Sequence, residues 1–270
     1  MDWENNYYNR IERNIGIVSI LEQDKIKNSN IAILGTGGIG APAALELCYA
    51  GVQNFVLVDN DKIEISNLNR QPFTMNDLGK YKVEVLSHKL KSIDPNIKVK
   101  TYYNIENNLD EILNGVDIVA LTLDDPIASI VISRKCRDKK IPIAESWAIP
   151  YLFCWWFLPN SLEYEKVYEF ETENFSIEQL LNSKNELITK LKSKIINQLL
   201  KFTGIEKKYS RESGTFEKML NGQISFRSFS TITWLNSSYL ANEIIFAGIL
   251  NIKQKVISPK ISAFDYFYIS

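Results

Sequence analysis

Histidine and cysteine are nearly absent from this chain of 270 residues, which carries one of the former and three of the latter. His88 sits in a lysine-rich stretch, and Cys48, Cys136 and Cys154 lie far apart inside apolar patterns with no C-x-x-C pair among them. Those shortages exclude a structural zinc site of the usual Cys/His kind and a disulfide framework, and they fit reduced, buried thiols in a cytoplasmic protein. An excess of either charge is missing too. With 31 basic and 32 acidic residues, no global field advertises a nucleic acid or a membrane surface. Long apolar runs are also lacking: Thr231 to Leu250 is interrupted by Asn236, Asn242 and Glu243 and reads as a packed helix, so no membrane partner is expected. The first residues show no basic segment leading into an apolar one, hence no secretory signal. No internal repeat or low-complexity block occurs.

What is present is alternation. Residues 6 to 29 read as a helical arm with a sparse apolar face (Ile11, Ile15, Ile20, Leu21). Strands follow at Ile31–Leu34, Phe55–Val58, Ile97–Tyr103, Val116–Leu121 and Ile141–Ala144. Helices fall between them at Gly40–Ala50, Lys80–Ile93, Asn108–Asn114 and Ile127–Lys139. This pitch predicts an α/β fold: a Rossmann-like, mostly parallel sheet with helices on both faces. From Trp147 the texture changes. Tyr151–Pro159 is dense in aromatics and reads as a long strand or hairpin arm, Ile177–Phe202 has helical spacing, Gly204–Ser225 reads as charged loop, and Val256–Phe267 as a closing pair of strands. We therefore expect residues 1–160 to form a nucleotide-binding core with an N-terminal helical arm, and 161–270 an antiparallel C-terminal elaboration packed on the same domain.

The chemistry concentrates early. Between the first strand and its helix lies Gly35-Thr-Gly37-Gly38-Ile-Gly40, a turn in which glycines let backbone approach a phosphate chain at a helix N-terminus. Asp59 ends the second strand, where a carboxylate can take ribose hydroxyls or merely cap a turn; Asp61 reads as structural. Asn67, Asn69, Arg70 and Gln71 form a polar group at the carboxyl edge, and Arg70 brings the planar fork that holds phosphate oxygens, with an ordinary surface turn as the alternative. Lys82 opens the next helix and can reach back to the same phosphates, whereas Lys80, Lys89 and Lys91 read as solvated faces. Asp124-Asp125 precedes Pro126, so the pair either caps a helix or, at Asp124, holds a Mg²⁺ against a polyphosphate. Cations grouped beside a glycine turn favour chemistry on a phosphate over the hydride transfer of a nicotinamide dehydrogenase.

Taken in order, Tyr8-Asn9-Arg10, the Gly-x-Gly-Gly-x-Gly turn, Asp59-x-Asp61, Ser66-Asn67-x-x-Arg70-Gln71, Gly79-x-x-Lys82 and Asp124 make residues 8–150 resemble the ubiquitin-activating-enzyme-like adenylyltransferases, the ThiF/MoeB/HesA group. The resemblance implies that the glycines, Asp59, the Asn67-to-Gln71 segment, Lys82 and Asp124 bind ATP and Mg²⁺. It also implies that Arg10 enters the site of the other subunit of a homodimer. Two features of many relatives are missing, the paired C-x-x-C zinc ligands and a cysteine in the C-terminal half; no cysteine follows Cys154, whose apolar setting reads as packing.

The expected activity is ATP-dependent adenylation of a carboxylate, the C-terminus of a small ubiquitin-like protein or of a precursor peptide, with release of pyrophosphate. Within the same family the acceptor is alternatively a tRNA base or a residue of a ribosomal peptide, although interleaved Lys and Glu in the C-terminal half give no strong basic tract for RNA. From another class comes a non-catalytic nucleotide-binding scaffold.

Overall fold

The computed structural model describes residues 3–260 apart from 107, 184 and 203, together with 264 and 265; side chains are described from residue 6 onward. In chain order come α1 (Trp3–Ile11), α2 (Ile20–Asn28), β1 (Asn30–Leu34), α3 (Gly40–Tyr49), β2 (Asn54–Val58), α4 (Lys82–Ile93), β3 (Lys98–Tyr102), α5 (Leu109–Ile112), β4 (Ile118–Leu121), α6 (Pro126–Asp138), β5 (Ile143–Glu145) and β6 (Trp155–Phe157). The C-terminal part continues with α7 (Tyr164–Val167), α8 (Ile177–Leu181), α9 (Asn185–Leu199), α10 (Ile205–Tyr209), α11 (Thr215–Leu220) and α12 (Ser230–Asn242). The strands form one sheet in the order β3-β2-β1-β4-β5-β6. Pairs from β3 through β5 are parallel, and β6 returns antiparallel along β5. The expected Rossmann-like α/β architecture with an antiparallel addition is the one observed.

A strand period of two divides the core. Ala32 and Leu34 of β1, Val56 and Val58 of β2 and Val119 and Leu121 of β4 face one side, where they meet α6 and the crossover helices α7 to α11. Ile31 and Ile33, Phe55 and Leu57, and Ile118 and Ala120 face the other, against α3, α4 and α12. Both faces are apolar, as a parallel sheet covered by helices on each side requires. The aromatic strand obeys the same rule, Trp155 and Phe157 turning to the first layer and Trp156 to the second. Edge strand β3 carries exposed Lys98 and Lys100, which discourage pairing with another chain.

Several expected elements are redrawn. The arm at 6–29 breaks after α1, because Ser19 starts a new helix through a capping box with Glu22. The strand expected over Tyr151–Pro159 is only Trp155–Phe157, since its partner β5 offers three residues and the N–H of Phe153 is taken by Asn236 Oδ1 at 3.1 Å. The segment 177–202 is two helices, α8 being started by the Ser176 and Gln179 capping box, and 204–225 contains α10 and α11 where loop was expected. Thr231–Leu250 is helical but changes at Glu243–Ile249 to π-helical winding. Of Val256–Phe267, where paired strands were expected, the described residues make two isolated bridges, Ile257 with Trp156 and Phe264 with Leu152; 261–263 and 266–267 lie outside the described residues.

The crossover is tied down by buried polar groups. Arg134 of α6 donates from Nε and Nη2 to the Glu165 carboxylate of α7 at 2.8 and 2.7 Å. At the end of β5, fully buried Glu145 accepts from the Tyr164 hydroxyl at 2.8 Å and from that of Tyr168. Burial lifts this carboxyl from 4.5 to about 7, against the hydrogen bonds of Tyr168, Tyr164 and Trp147. The folded state thus keeps a proton that the unfolded chain releases, so the contribution of Glu145 to stability falls as pH rises from about 4.5 to about 7. Glu145→Gln should remove this slope, on the order of 3 kcal/mol across the window. Urea unfolding of both proteins at pH 5 and pH 8 checks it; identical pH dependence in the two would show that Glu145 is not the responsible group.

Candidate nucleotide site

Sheet order places β1 between β2 and β4, so chain connections leave its carboxyl end in opposite directions and open a crevice there. Three bonds keep the ends of β1 to β4 in register at that edge. The N–H of Gly35 donates to Val58 O at 2.9 Å, that of Thr122 to Leu34 O at 2.8 Å, and that of Asp59 to Tyr102 O at 3.1 Å. Loops bearing the candidate residues therefore start from one level.

Two glycines make this edge possible. Gly35 has φ +97°, and a Cβ on it would lie 2.6 Å from Thr122 O. A Cβ on Gly40 would lie 1.9 Å from Gly35 O and 2.6 Å from Thr122 Oγ1. That hydroxyl donates to Gly35 O at 2.6 Å, locking the turn to the end of β4. Gly37 and Gly38 serve differently: a Cβ on Gly38 would meet Arg70 Nε at 3.3 Å, and one on Gly37 would find only Gln71 Nε2 at 3.9 Å. The structure thus brings the turn, Arg70 and Gln71 together as the sequence pattern suggested.

Arg70 donates to Ser66 O at 2.9 Å and to Asn69 Oδ1 at 2.8 Å. Among the described residues no carboxylate lies within ion-pair distance of it. Burial lowers its pKa, the signature of a cation partly removed from water. The Gln71 side chain is buried against the turn, and its Oε1 has no hydrogen-bond partner. Asn67 spends its Oδ1 on the N–H of Glu64 at 3.1 Å, and Asn69 donates to Ser228 O at 3.2 Å, so both amides shape the loop.

Asp59 is buried, and its Oδ2 accepts from the N–H of Thr36 at 2.7 Å and from the Thr36 hydroxyl at 3.1 Å, while Oδ1 accepts from the N–H of Asp61 at 2.8 Å. Burial raises its pKa, opposed by the Lys82 ammonium and these N–H donors. Its carboxylate ties the glycine turn to β2 and keeps acceptor capacity on Oδ1. Asp61, read from sequence as structural, holds Lys82 at 2.6 Å; the lysine side chain is 5% exposed and the aspartate 63%. Lys82 is thereby held close enough to Asp59 for its ammonium to act on that carboxylate, with donors beyond the one given to Asp61. Thr36 and Thr122 went unassigned in the sequence reading, although the turn itself carried the signal for Thr36, and Asp61 was read as structural without its pairing to Lys82.

The Asp124-Asp125 ambiguity resolves into a division of labour. Asp125 is the helix cap, accepting from the N–H groups of Ile127 at 2.8 Å and Ala128 at 3.3 Å. Asp124 is exposed, two residues beyond the Thr122 that braces the turn. Arg10 is elsewhere: it donates to Cys48 O at 3.0 Å and Tyr49 O at 3.3 Å and pairs with Asp94 at 3.2 Å. Those carbonyls close α3 at the end away from the glycine turn, a ten-residue helix and so about 15 Å off.

The description of the ThiF family matches residues 8–183. The chain belongs to the ThiF family. Among ThiF relatives, the ubiquitin-like modifier-activating enzyme 5 of Aedes aegypti is 32% identical over 159 residues, 53% of this chain and 40% of that protein. The adenylyltransferase and sulfurtransferase UBA4 of Scheffersomyces stipitis is 37% identical over 118 residues, 43% of this chain and 27% of that one. The chain thus spans less than half the length of these curated relatives. Among solved ThiF-like folds, E. coli MccB with ATP aligns over 90% of this chain and 65% of its own at 23% identity and a TM-score of 0.60. The microcin C7 biosynthetic enzyme MccB in complex with N-formylated MccA aligns over 97% and 72% at 23% identity and 0.64.

Gly40→Ala should damage this edge first, because the methyl meets backbone on one side and the Thr122 hydroxyl on the other. A loss of about 1–3 kcal/mol is expected together with loss of nucleotide binding. Thermal unfolding and ATP titration read the two effects separately; a variant with wild-type values in both would show the contact to be relaxed.

Proposed function

We propose that this chain is an ATP-dependent adenylyltransferase that activates a carboxylate, the C-terminus of a small ubiquitin-like protein or of a peptide, as an acyl adenylate. One observation carries the reading: the half-buried Arg70 side chain lies with its Nε and stem against Gly38 of a phosphate-type turn and, among the described residues, has no carboxylate within ion-pair distance, so its charge is open to an incoming anion. The names of the sequence relatives, ubiquitin-like modifier-activating enzyme and adenylyltransferase, support the reaction class and the kind of acceptor.

In the reaction an acceptor carboxylate oxygen attacks the α-phosphorus of ATP, the bond to the α,β-bridging oxygen breaks, and pyrophosphate leaves. A carboxylate is already ionised at neutral pH, so no general base is needed. Positioning and charge neutralisation supply the acceleration. The glycine turn and Gln71 admit the phosphates, Arg70 and Lys82 offset their charge and that of the departing pyrophosphate, and Asp59 offers its remaining acceptor capacity to ribose. Among the described residues no group of three metal-ligating side chains occurs. Mg²⁺ is held by one or two carboxylates with phosphate oxygens and waters, and Asp124 is an exposed carboxylate after β4 that leaves the capping of α6 to Asp125. Bound there, Mg²⁺ would neutralise phosphate charge.

Arg10 takes part only across a homodimer, since within its own chain it closes the far end of α3. Cys154 serves packing: it is fully buried, and burial drives its thiol well above the ordinary range. That disfavours a thioester on this chain and leaves adenylation untouched. The tRNA reading finds less support, because Lys190 and Lys194 on α9 are both engaged by Glu171. Among the described residues no helix is long and apolar enough to cross a membrane.

Asp124→Ala and Arg70→Ala should each reduce acceptor-dependent ATP–pyrophosphate exchange by about a hundredfold while the proteins stay folded. Asp125→Ala should do the reverse, costing about 1 kcal/mol of stability through its lost cap and sparing exchange. Full exchange in both of the first two variants would remove the mechanism.

A further inference from the structure

The crevice receives one contribution from the far end of the chain. The indole Nε1–H of Trp234, on α12, donates to the backbone carbonyl of Arg70 at 2.8 Å across 164 residues of sequence. The segment that leads into α12 adds a second contact on the same loop, Ser228 O accepting from Asn69. Farther along, the Ser237 hydroxyl lies 3.4 Å from Gly38 O. One helix thus touches both the arginine loop and the glycine turn over which the guanidinium lies.

The helix itself is anchored. Asn236 is fully buried, donates to Ile149 O at 2.7 Å and accepts from the N–H of Phe153 at 3.1 Å. A donor on so fixed a helix is preorganised, and an arginine loop closed otherwise by short-range turns gains an external reference. Within the Asn67–Gln71 loop the N–H groups of Arg70 and Gln71 both donate to Asn67 O, bonds that turn the chain without fixing it to the rest of the fold. The geometry points to Trp234 as a positioning residue for ATP: its indole holds the Arg70 backbone so that the guanidinium lies over Gly38 and faces the phosphates. The inference rests on the reading of Arg70 given above and extends it to a residue that touches no nucleotide.

The experiment is a double-mutant cycle on the full chain, with Mg²⁺-ATP binding followed by calorimetry in wild type, Trp234→Phe, Arg70→Ala and the double variant. Trp234 is 36% exposed, so a phenyl ring removes the N–H with little disturbance of the core, and Trp234→Leu provides a second variant lacking the same donor. Trp234→Phe should weaken ATP binding by about three- to tenfold, the range of one net hydrogen bond, and the double variant should bind no more weakly than Arg70→Ala. Wild-type affinity in both Trp234 variants beside a weakened Arg70→Ala overturns the positioning role and leaves the function standing. Equal losses from Trp234→Phe in both backgrounds overturn it as well, since they mark general loosening. Unaltered binding by Arg70→Ala strikes the assignment of Arg70 itself, and the role of Trp234 falls with it.

Discussion

The site depends on a contact that only hydrogen can make. Where α3 leaves β1, Gly40 comes so close to Gly35 O that a Cβ would stand 1.9 Å away, and Thr122 Oγ1 closes the same gap from β4. This approach ties the glycine turn to the end of β4 and opens α3 at the crevice, where the positive end of the helix dipole favours negative charge. The charged side chains around it inherit their positions from this packing.

Charge is distributed unequally around that contact. Lys82 is compensated by Asp61 and lies near buried Asp59, which itself is spent on Thr36 and Asp61 N–H groups. Two carboxylates and one ammonium leave a net negative charge here: Asp61 keeps its share in water at 63% exposure, and the N–H donors around Asp59 offset the cost of burying its carboxylate. Among the described residues, Arg70 has carbonyl acceptors and no carboxylate. A partly desolvated cation with no counter-charge is a stability cost without a structural return, the kind of local conflict that functional sites retain. The same logic separates Asp125, which earns its place as a cap, from Asp124, which has no such duty.

The C-terminal half is coupled to the nucleotide half rather than appended to it. Arg134 with Glu165, and Glu145 with Tyr164 and Tyr168, pin the crossover beneath the sheet, while α12 covers the opposite face and reaches the Asn69-Arg70 loop. Buried polar networks of this kind fix a unique arrangement because any slippage leaves donors and carboxylates unpaired in a low-dielectric interior.

Local pattern in the sequence determined the alternating strands and helices, the parallel sheet, the glycine turn, Asp59, Arg70 and Lys82, because strand period, helix period and turn chemistry act between near neighbours. It misjudged elements whose limits are set from outside: the aromatic strand is cut to the length of β5, and 204–225 forms α10 and α11 where a loop was expected. It overlooked Asp61 as the seat of Lys82 and gave no sign of Trp234, since a bond across 164 residues leaves no periodic trace. Only the tertiary structure decided which of two adjacent aspartates caps a helix, and that Arg10 lies a helix length from the turn it precedes in sequence. Those outcomes depend on where separate elements meet in space, and that meeting is fixed by packing of both sheet faces rather than by any one segment.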